Sequence, residues 1–183
     1  MKADITGKLM EEHQLILRMI TVLEKNAALT EKGSFTDWQF YHDAVDFIRQ
    51  YADRFHHAKE EDVLFEVLVE NGMPREHSPV AAMVMEHEQS RLLVANLVQA
   101  VKDAETGNSA SYGKIAENAL GYAALLRDHI AKEDGVLYPL SERIIPDNLR
   151  IKILDGYRAA TDKAEKGIDA YYTAMVEKYE ATA

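Results

Sequence analysis

Residues 56–65 read HHAKEEDVLF, and residues 129–138 read HIAKEDGVLY. The two stretches share a histidine, an Ala-Lys-Glu run, a Val-Leu pair and an aromatic end, 73 positions apart. The residues ahead of them repeat as well: EEHQ at 11–14 is echoed by MEHEQ at 85–89, which sets His13 and His87 74 positions apart. The chain reads as a duplication of two helical hairpins. Each copy offers one histidine from its first helix and a His-x3-Glu pair from its second.

Apolar residues return every three or four positions almost throughout, and no convincing strand-like alternation occurs, so the fold class is all-α. Five helices are expected. The first covers about residues 5–30, with Gly33 in the turn after it. Thr36 with Gln39 forms a candidate capping box for the second, which runs to about Asn71, where Gly72 and Pro74 break it. Ser78-Pro79 opens the third by the preference of proline for a first helical position. The loop at 107–109 separates it from the fourth, which kinks or ends near Pro139. Pro146-Asp147 marks the next boundary, so residues 1–146 form an up-down four-helix bundle and 147–183 a C-terminal fifth helix. That helix carries Leu149, Ile153, Tyr157, Ala160, Ala164, Ile168, Tyr171 and Met175 at helical spacing, a stripe that packs on the bundle or forms a homodimer contact.

Helical phase places the repeated polar residues. At about 100° per residue, Val45, Ala52, Val63, Val67 and Glu60 all lie within roughly 40° of His56. His57 and Glu61 are rotated by roughly 100–140° from that direction and read as edge or surface groups. Leu125, Val136 and Leu140 align on His129 and Glu133 in the same way. Leu9, Leu17 and Ile20 surround His13, and Met83, Val94 and Val98 surround His87. Four imidazoles and two carboxylates therefore point into the core, where an isolated ion costs several kcal/mol or more unless it is paired or bound to a metal. A dinuclear metal centre neutralises them, because each carboxylate can bridge two cations and each cation can take two histidines. Four helices presenting ligands to a bundle axis can build such a site.

Composition narrows the chemistry. The chain of 183 residues has no cysteine, which excludes disulfides, thiolate metal sites and cysteine nucleophiles and leaves nitrogen and oxygen as metal donors. A formal net charge of −10 argues against a nucleic-acid or anionic-membrane surface. No apolar run is long enough for a membrane span or a signal peptide, so a cytoplasmic protein is expected. A ferritin-like centre would use Glu-x2-His pairs, and a zinc hydrolase His-Glu-x2-His; neither pattern is found here.

The set His13, His56-x3-Glu60, His87 and His129-x3-Glu133, spread over about residues 9–145, resembles the hemerythrin-like, or HHE cation-binding, family. The resemblance implies a non-haem centre of two iron ions with carboxylate and oxo or hydroxo bridges, although manganese or zinc could occupy such a site. It also implies a small ligand, either oxygen, nitric oxide or peroxide. Relatives that handle iron or repair iron centres suggest a second reading, and a metal-stapled interaction module a third; whether the chain turns over as an enzyme stays open. Two departures stand out: Arg91 occupies the place where the oxygen carriers have a histidine in the third helix, and the fourth-helix motif is His-x3-Glu rather than His-x4-Asp. With four histidines and two glutamates, such a centre has fewer protein nitrogens and keeps open positions.

Arg91 lies about 40° from His87. It could pair with a bridging glutamate, stabilise a bound anion, or reach out to a surface acid. Tyr122, two turns before His129 on the same face, could supply a phenolate, a hydrogen bond or packing alone. Glu12 and Glu86 stand just off the buried stripe, where a carboxylate can orient an imidazole. His42 and His77 fall outside the repeated pattern and are expected at the surface.

Overall fold

The computed structural model describes residues 2–164 and 166–182, and among these every regular element is helical. Helix α1 spans Gly7–Glu31. Helix α2, residues 38–70, is one continuous run in which α-helical turns alternate with two π-helical stretches, Ile48–His57 and Glu60–Leu64. Helix α3 spans Pro79–Glu105. Helix α4, residues 112–144, is interrupted by a π turn at Glu133–Leu137. These four form the bundle of two hairpins, and two further helices come after it, α5 (Asp147–Lys163) and α6 (Ile168–Glu180).

Local chemistry sets the boundaries. Ser78 caps α3 as expected, its Oγ accepting the Ala81 N–H at 3.3 Å with Pro79 next in line. The start of α2 differs from the Thr36–Gln39 expectation, because Asp37 is the cap and accepts from Phe40 N–H at 3.3 Å. Pro139 neither ends nor breaks α4. The π turn ahead of it carries the chain into a last segment to Ile144, with Tyr138 N–H bonding back to Glu133 O.

That π turn corrects one inward assignment. A π turn takes up more residues than an α turn and so rotates every side chain beyond it. Leu137 is buried, whereas Val136, expected on the His129 face, is 58% exposed.

The expected single fifth helix is two. Gly167 takes the left-handed conformation at φ 83°, which favours glycine, and resets the helical phase between α5 and α6. Ile153 and Tyr157 are buried on α5 as anticipated. On α6 the buried stripe is Tyr172, Val176 and Tyr179, Ile168 and Met175 pack partly buried against the same cluster as anticipated, and Tyr171 is exposed. Both helices lie on the bundle. The Tyr172 hydroxyl donates to Asp46 at 2.8 Å, the Tyr51 hydroxyl to Asp169 at 3.1 Å, and buried Arg150 ties α5 to Glu142 near the end of α4.

The apolar core falls into two clusters. One holds Ile16, Ile20, Leu23, Phe47, Leu97, Ala119 and Leu126 with the α6 tyrosines, and the other holds Leu9, Leu64, Leu68, Met83, Leu137 and Ile153. Along every bundle helix the repeated histidines and glutamates sit between these clusters, forming a polar belt across the interior. Each fully buried Leu, Ile or Phe contributes about 1.5–3 kcal/mol, so the belt is enclosed by packing that does not depend on it.

Candidate metal centre

The belt brings together His13 from α1, His56 and Glu60 from α2, His87 from α3, and His129 and Glu133 from α4, each 1% exposed or less. A seventh residue joins them. His57, expected at the edge of α2, is 2% exposed, and its ring stacks on that of His87 with centroids 3.8 Å apart. The cause is the π-helical stretch Ile48–His57, which widens the turn so that both neighbouring histidines face the interior. Five imidazoles therefore converge where four were expected, and the picture of a nitrogen-poor centre is corrected accordingly. Glu61 stays at the edge, about a quarter exposed.

The donor atoms form two groups. One combines His57, Glu60, His87 and His129; the other combines His13, His56, Glu60 and Glu133. Within each group the atoms lie within 4.8 Å of one another, and Glu60 is common to both. His87 Nε2 is 3.0 Å from His129 Nε2. Glu60 Oε2 stands 3.6 Å from both His56 Nε2 and His87 Nε2, and Glu133 Oε2 stands 3.3 Å from His13 Nε2 and 3.2 Å from His129 Nε2. Each carboxylate thus reaches imidazoles from both hairpins.

Behind every imidazole stands a carboxylate. His13 Nδ1 is 2.8 Å from Asp134, His56 Nδ1 2.9 Å from Glu12, His57 Nδ1 3.3 Å from Asp53, His87 Nδ1 2.6 Å from Glu61, and His129 Nδ1 2.9 Å from Glu86. An ionised carboxylate only accepts, so the proton is held on Nδ1 and the Nε2 lone pair is turned towards the centre. Glu12 and Glu86 stand where the sequence suggested. Asp134, Glu61 and Asp53 were missed, although Asp134 and Glu61 occupy the same place in the two copies and were open to the same comparison that found the histidines.

The residues fit a pair of metal ions. Among the described residues, Glu60 Oε2 and both Glu133 carboxylate oxygens are buried without a hydrogen-bond partner, a costly arrangement unless a cation accepts them. Burial and the nearby Glu133 charge push the Glu60 carboxyl well above the usual carboxylate range. Burial also opposes the Glu133 charge, but His129 and His13 outweigh it and hold that carboxyl down. Burial lowers His13 too, yet its hydrogen bond to Asp134 and the nearby Glu133 carboxylate prevail and raise it to about 9. Burial drives His56 and His57 well below the usual histidine value, which suits them to donate a lone pair. Imidazole with carboxylate suits iron, and also manganese or zinc.

A family profile, Hemerythrin HHE cation binding domain, matches residues 4–141. The chain belongs to the hemerythrin HHE family. No curated protein and no solved structure matches it. As in hemerythrins, the two histidine and glutamate clusters are positioned to coordinate a di-metal centre, with iron the metal the family points to. No helix among the described residues is long and apolar enough to cross a membrane.

The remaining candidates lie around this hemerythrin-like centre. Arg91 does not reach a belt glutamate; its guanidinium pairs with Asp53 and Glu61, each at 2.7 Å, and with Glu88. It thereby holds two of the acids that orient His57 and His87. Tyr122 is 1% exposed, and its hydroxyl has no hydrogen-bond partner among the described residues. Tyr138, which the sequence reading missed, donates to Glu60 Oε1 at 2.7 Å and lies 3.4 Å from His13 Nε2. Its counterpart in the first copy is Phe65, so the duplication carried no signal for it. His42 and His77 are exposed.

Proposed function

We propose that this hemerythrin-family protein holds two iron ions in the belt and binds a small ligand there, dioxygen, nitric oxide or peroxide. His57, His87 and His129 would hold one ion and His13, His56 and Glu133 the other, with Glu60 between them. The reading rests on one observation: five imidazoles, each with its Nδ1 on its own carboxylate, converge with two glutamates that carry three buried oxygens without a hydrogen-bond partner among the described residues. When bound, the iron pair would supply reversible redox chemistry and coordination positions for the ligand. The chain's own part is to fix the imidazoles, to exclude bulk water with the apolar clusters on either side, and to keep a hydrogen on the Tyr138 hydroxyl facing Glu60.

Reduced, iron-loaded protein exposed in turn to air, nitric oxide and hydrogen peroxide tests the reading. A distinct optical change with at least one of them is expected, and silence with all three would contradict it. The enclosure of the belt favours retention of metal over its transfer, so a chelator should remove iron slowly; rapid removal from the folded protein would favour iron handling instead.

Residues 1–146 are assigned to the metal-binding unit and 147–183 to a cover whose outer side, with Ile151 and Tyr171 more than half exposed, suits a homodimer contact. A cytoplasmic setting goes with this reading. A chain ending at 146 should load iron and sediment as a monomer. An unchanged association state would remove the dimer role.

A further inference from the structure

The duplication supplies an internal control, because the two halves can be compared position by position. Glu60 corresponds to Glu133, Phe65 to Tyr138 and His87 to His13. The backbone follows the same course in both copies. Glu60–Leu64 and Glu133–Leu137 are each a π turn, and the N–H five residues beyond the glutamate, of Phe65 or of Tyr138, bonds back to the glutamate carbonyl. Five residues of α-helix would turn a side chain about 140° from its starting direction, and the wider π turn brings it back towards the side of the glutamate. Phe65 and Tyr138 are accordingly buried, and each ring lies nearly parallel to a belt histidine of the other hairpin. Phe65 stacks on His87 with centroids 6.1 Å apart and planes at 17°, and Tyr138 stacks on His13 at 5.5 Å and 8°.

One hydroxyl separates the two positions, and the belt carboxylates differ accordingly. A phenol has a single proton to donate. At 2.7 Å from Glu60 Oε1 and 3.4 Å from His13 Nε2, the Tyr138 hydroxyl gives it to the glutamate. Only Glu60 Oε2 is then left without a partner, and it stands 3.6 Å from His56 Nε2 and 3.6 Å from His87 Nε2, one imidazole of each donor group. Phe65, in the mirrored place, has no proton to offer Glu133. Both Glu133 oxygens are buried without a partner among the described residues.

We propose that Tyr138 is a positioning residue that reserves Glu60 Oε1, so that Glu60 joins the two ions through Oε2 alone while Glu133 has both oxygens to give. A hydrogen bond to an ionised carboxylate is among the stronger kinds, and this one is enclosed, so a metal ion must displace it to reach Oε1. The coordination position that Oε1 would fill is thereby kept free of protein. The proposal rests on the reading of the belt as a two-iron centre and adds how its two carboxylates divide their oxygens.

Crystals of the reduced, iron-loaded protein provide the test, together with the iron–iron separation in solution from X-ray absorption. In the natural chain Glu60 Oε2 should contact both irons, with Oε1 still on the Tyr138 hydroxyl. Tyr138→Phe makes the second copy match the first and loses only the hydroxyl. Oε1 should then move onto an iron, and the iron–iron separation should lengthen, because two oxygens span a wider gap than one. Phe65→Tyr should do the reverse at Glu133, leaving one of its oxygens on the introduced hydroxyl and one on metal; if that variant does not fold, the Tyr138 variant decides. Two irons with both Glu60 oxygens bound in the natural chain, or an unchanged separation in Tyr138→Phe, would overturn the role of Tyr138 and leave the centre standing. A visible phenolate-to-iron band that vanishes in Tyr138→Phe would overturn it as well, by making Tyr138 a ligand. Failure of the natural chain to load two irons would overturn the reading of the belt and this inference with it.

Discussion

At the scale of single residues, His57 separates the two halves of the site. Its counterpart, Ile130, is apolar core, so His57→Ile makes the first copy resemble the second at that position. Loss of an imidazole from one donor group should cost more than the roughly 10–100-fold that removal of an orienting partner costs. Iron content should fall from two towards one per chain, while His42→Ile at the surface leaves it unchanged. Two irons retained in the His57 variant would exclude that side chain from the centre. Protonation has a defined sign at His13. Its value in the metal-free fold is raised from 6.5 to about 9, so its proton stabilises the metal-free protein fully below pH 6.5, and that contribution is lost as pH rises through about 9. Metal must displace this proton, so apparent affinity should climb with pH up to about 9. Zinc titrations by calorimetry near pH 7, in buffers of different ionisation enthalpy, should show net proton release. Heats that do not depend on the buffer would contradict it.

At the scale of elements, the close approach of α5 to α2 depends on Gly156, where an added Cβ would lie 2.7 Å from Val63 Cγ1. Helix propensity alone favours alanine by about 1 kcal/mol, but crowding a stiff valine costs about 1–3 kcal/mol. Gly156→Ala should therefore destabilise the protein to denaturant by about 1 kcal/mol; a gain in stability would show that α5 can shift away. The helices themselves were largely legible in the sequence, because Ser78-Pro79 and Pro146-Asp147 mark their ends by local chemistry. The six repeated residues of the belt were legible through duplication and phase together. His57 was not, since constant α-helical phase turns it to the edge and only a π stretch brings it inward. A trace was present all the same: the copies are 74 positions apart at His13 and His87 but 73 apart at His56 and His129, so the first copy holds one extra residue. The structure keeps the 74-residue offset from the end of α1 to the start of α2, at Glu31 with Glu105 and Trp38 with Tyr112, which puts the extra residue inside α2, where the π stretch lies. Val136 and Tyr171 were misplaced for the same reason, a change of phase at a π turn and at Gly167 that periodicity does not register.

At the scale of the whole molecule, a polar belt divides two apolar clusters, and three buried carboxylate oxygens of the belt have no hydrogen-bond partner among the described residues. A metal that binds only the folded chain stabilises it by mass action, about 2.7 kcal/mol at a hundredfold excess over its dissociation constant. Loaded protein should thus melt several degrees above chelated protein, and equal melting temperatures would mean that the belt is satisfied without metal. The central claim is that two donor groups sharing Glu60 form one di-iron centre, and the most direct test is iron stoichiometry measured together with the optical spectrum of the purified protein, oxidised, reduced and returned to air. The account predicts two irons per chain, one for each group, with near-ultraviolet bands of a bridged pair that bleach on reduction and return on exposure to air. A chain saturated by one iron, or two irons whose spectrum does not respond to reduction, would contradict it.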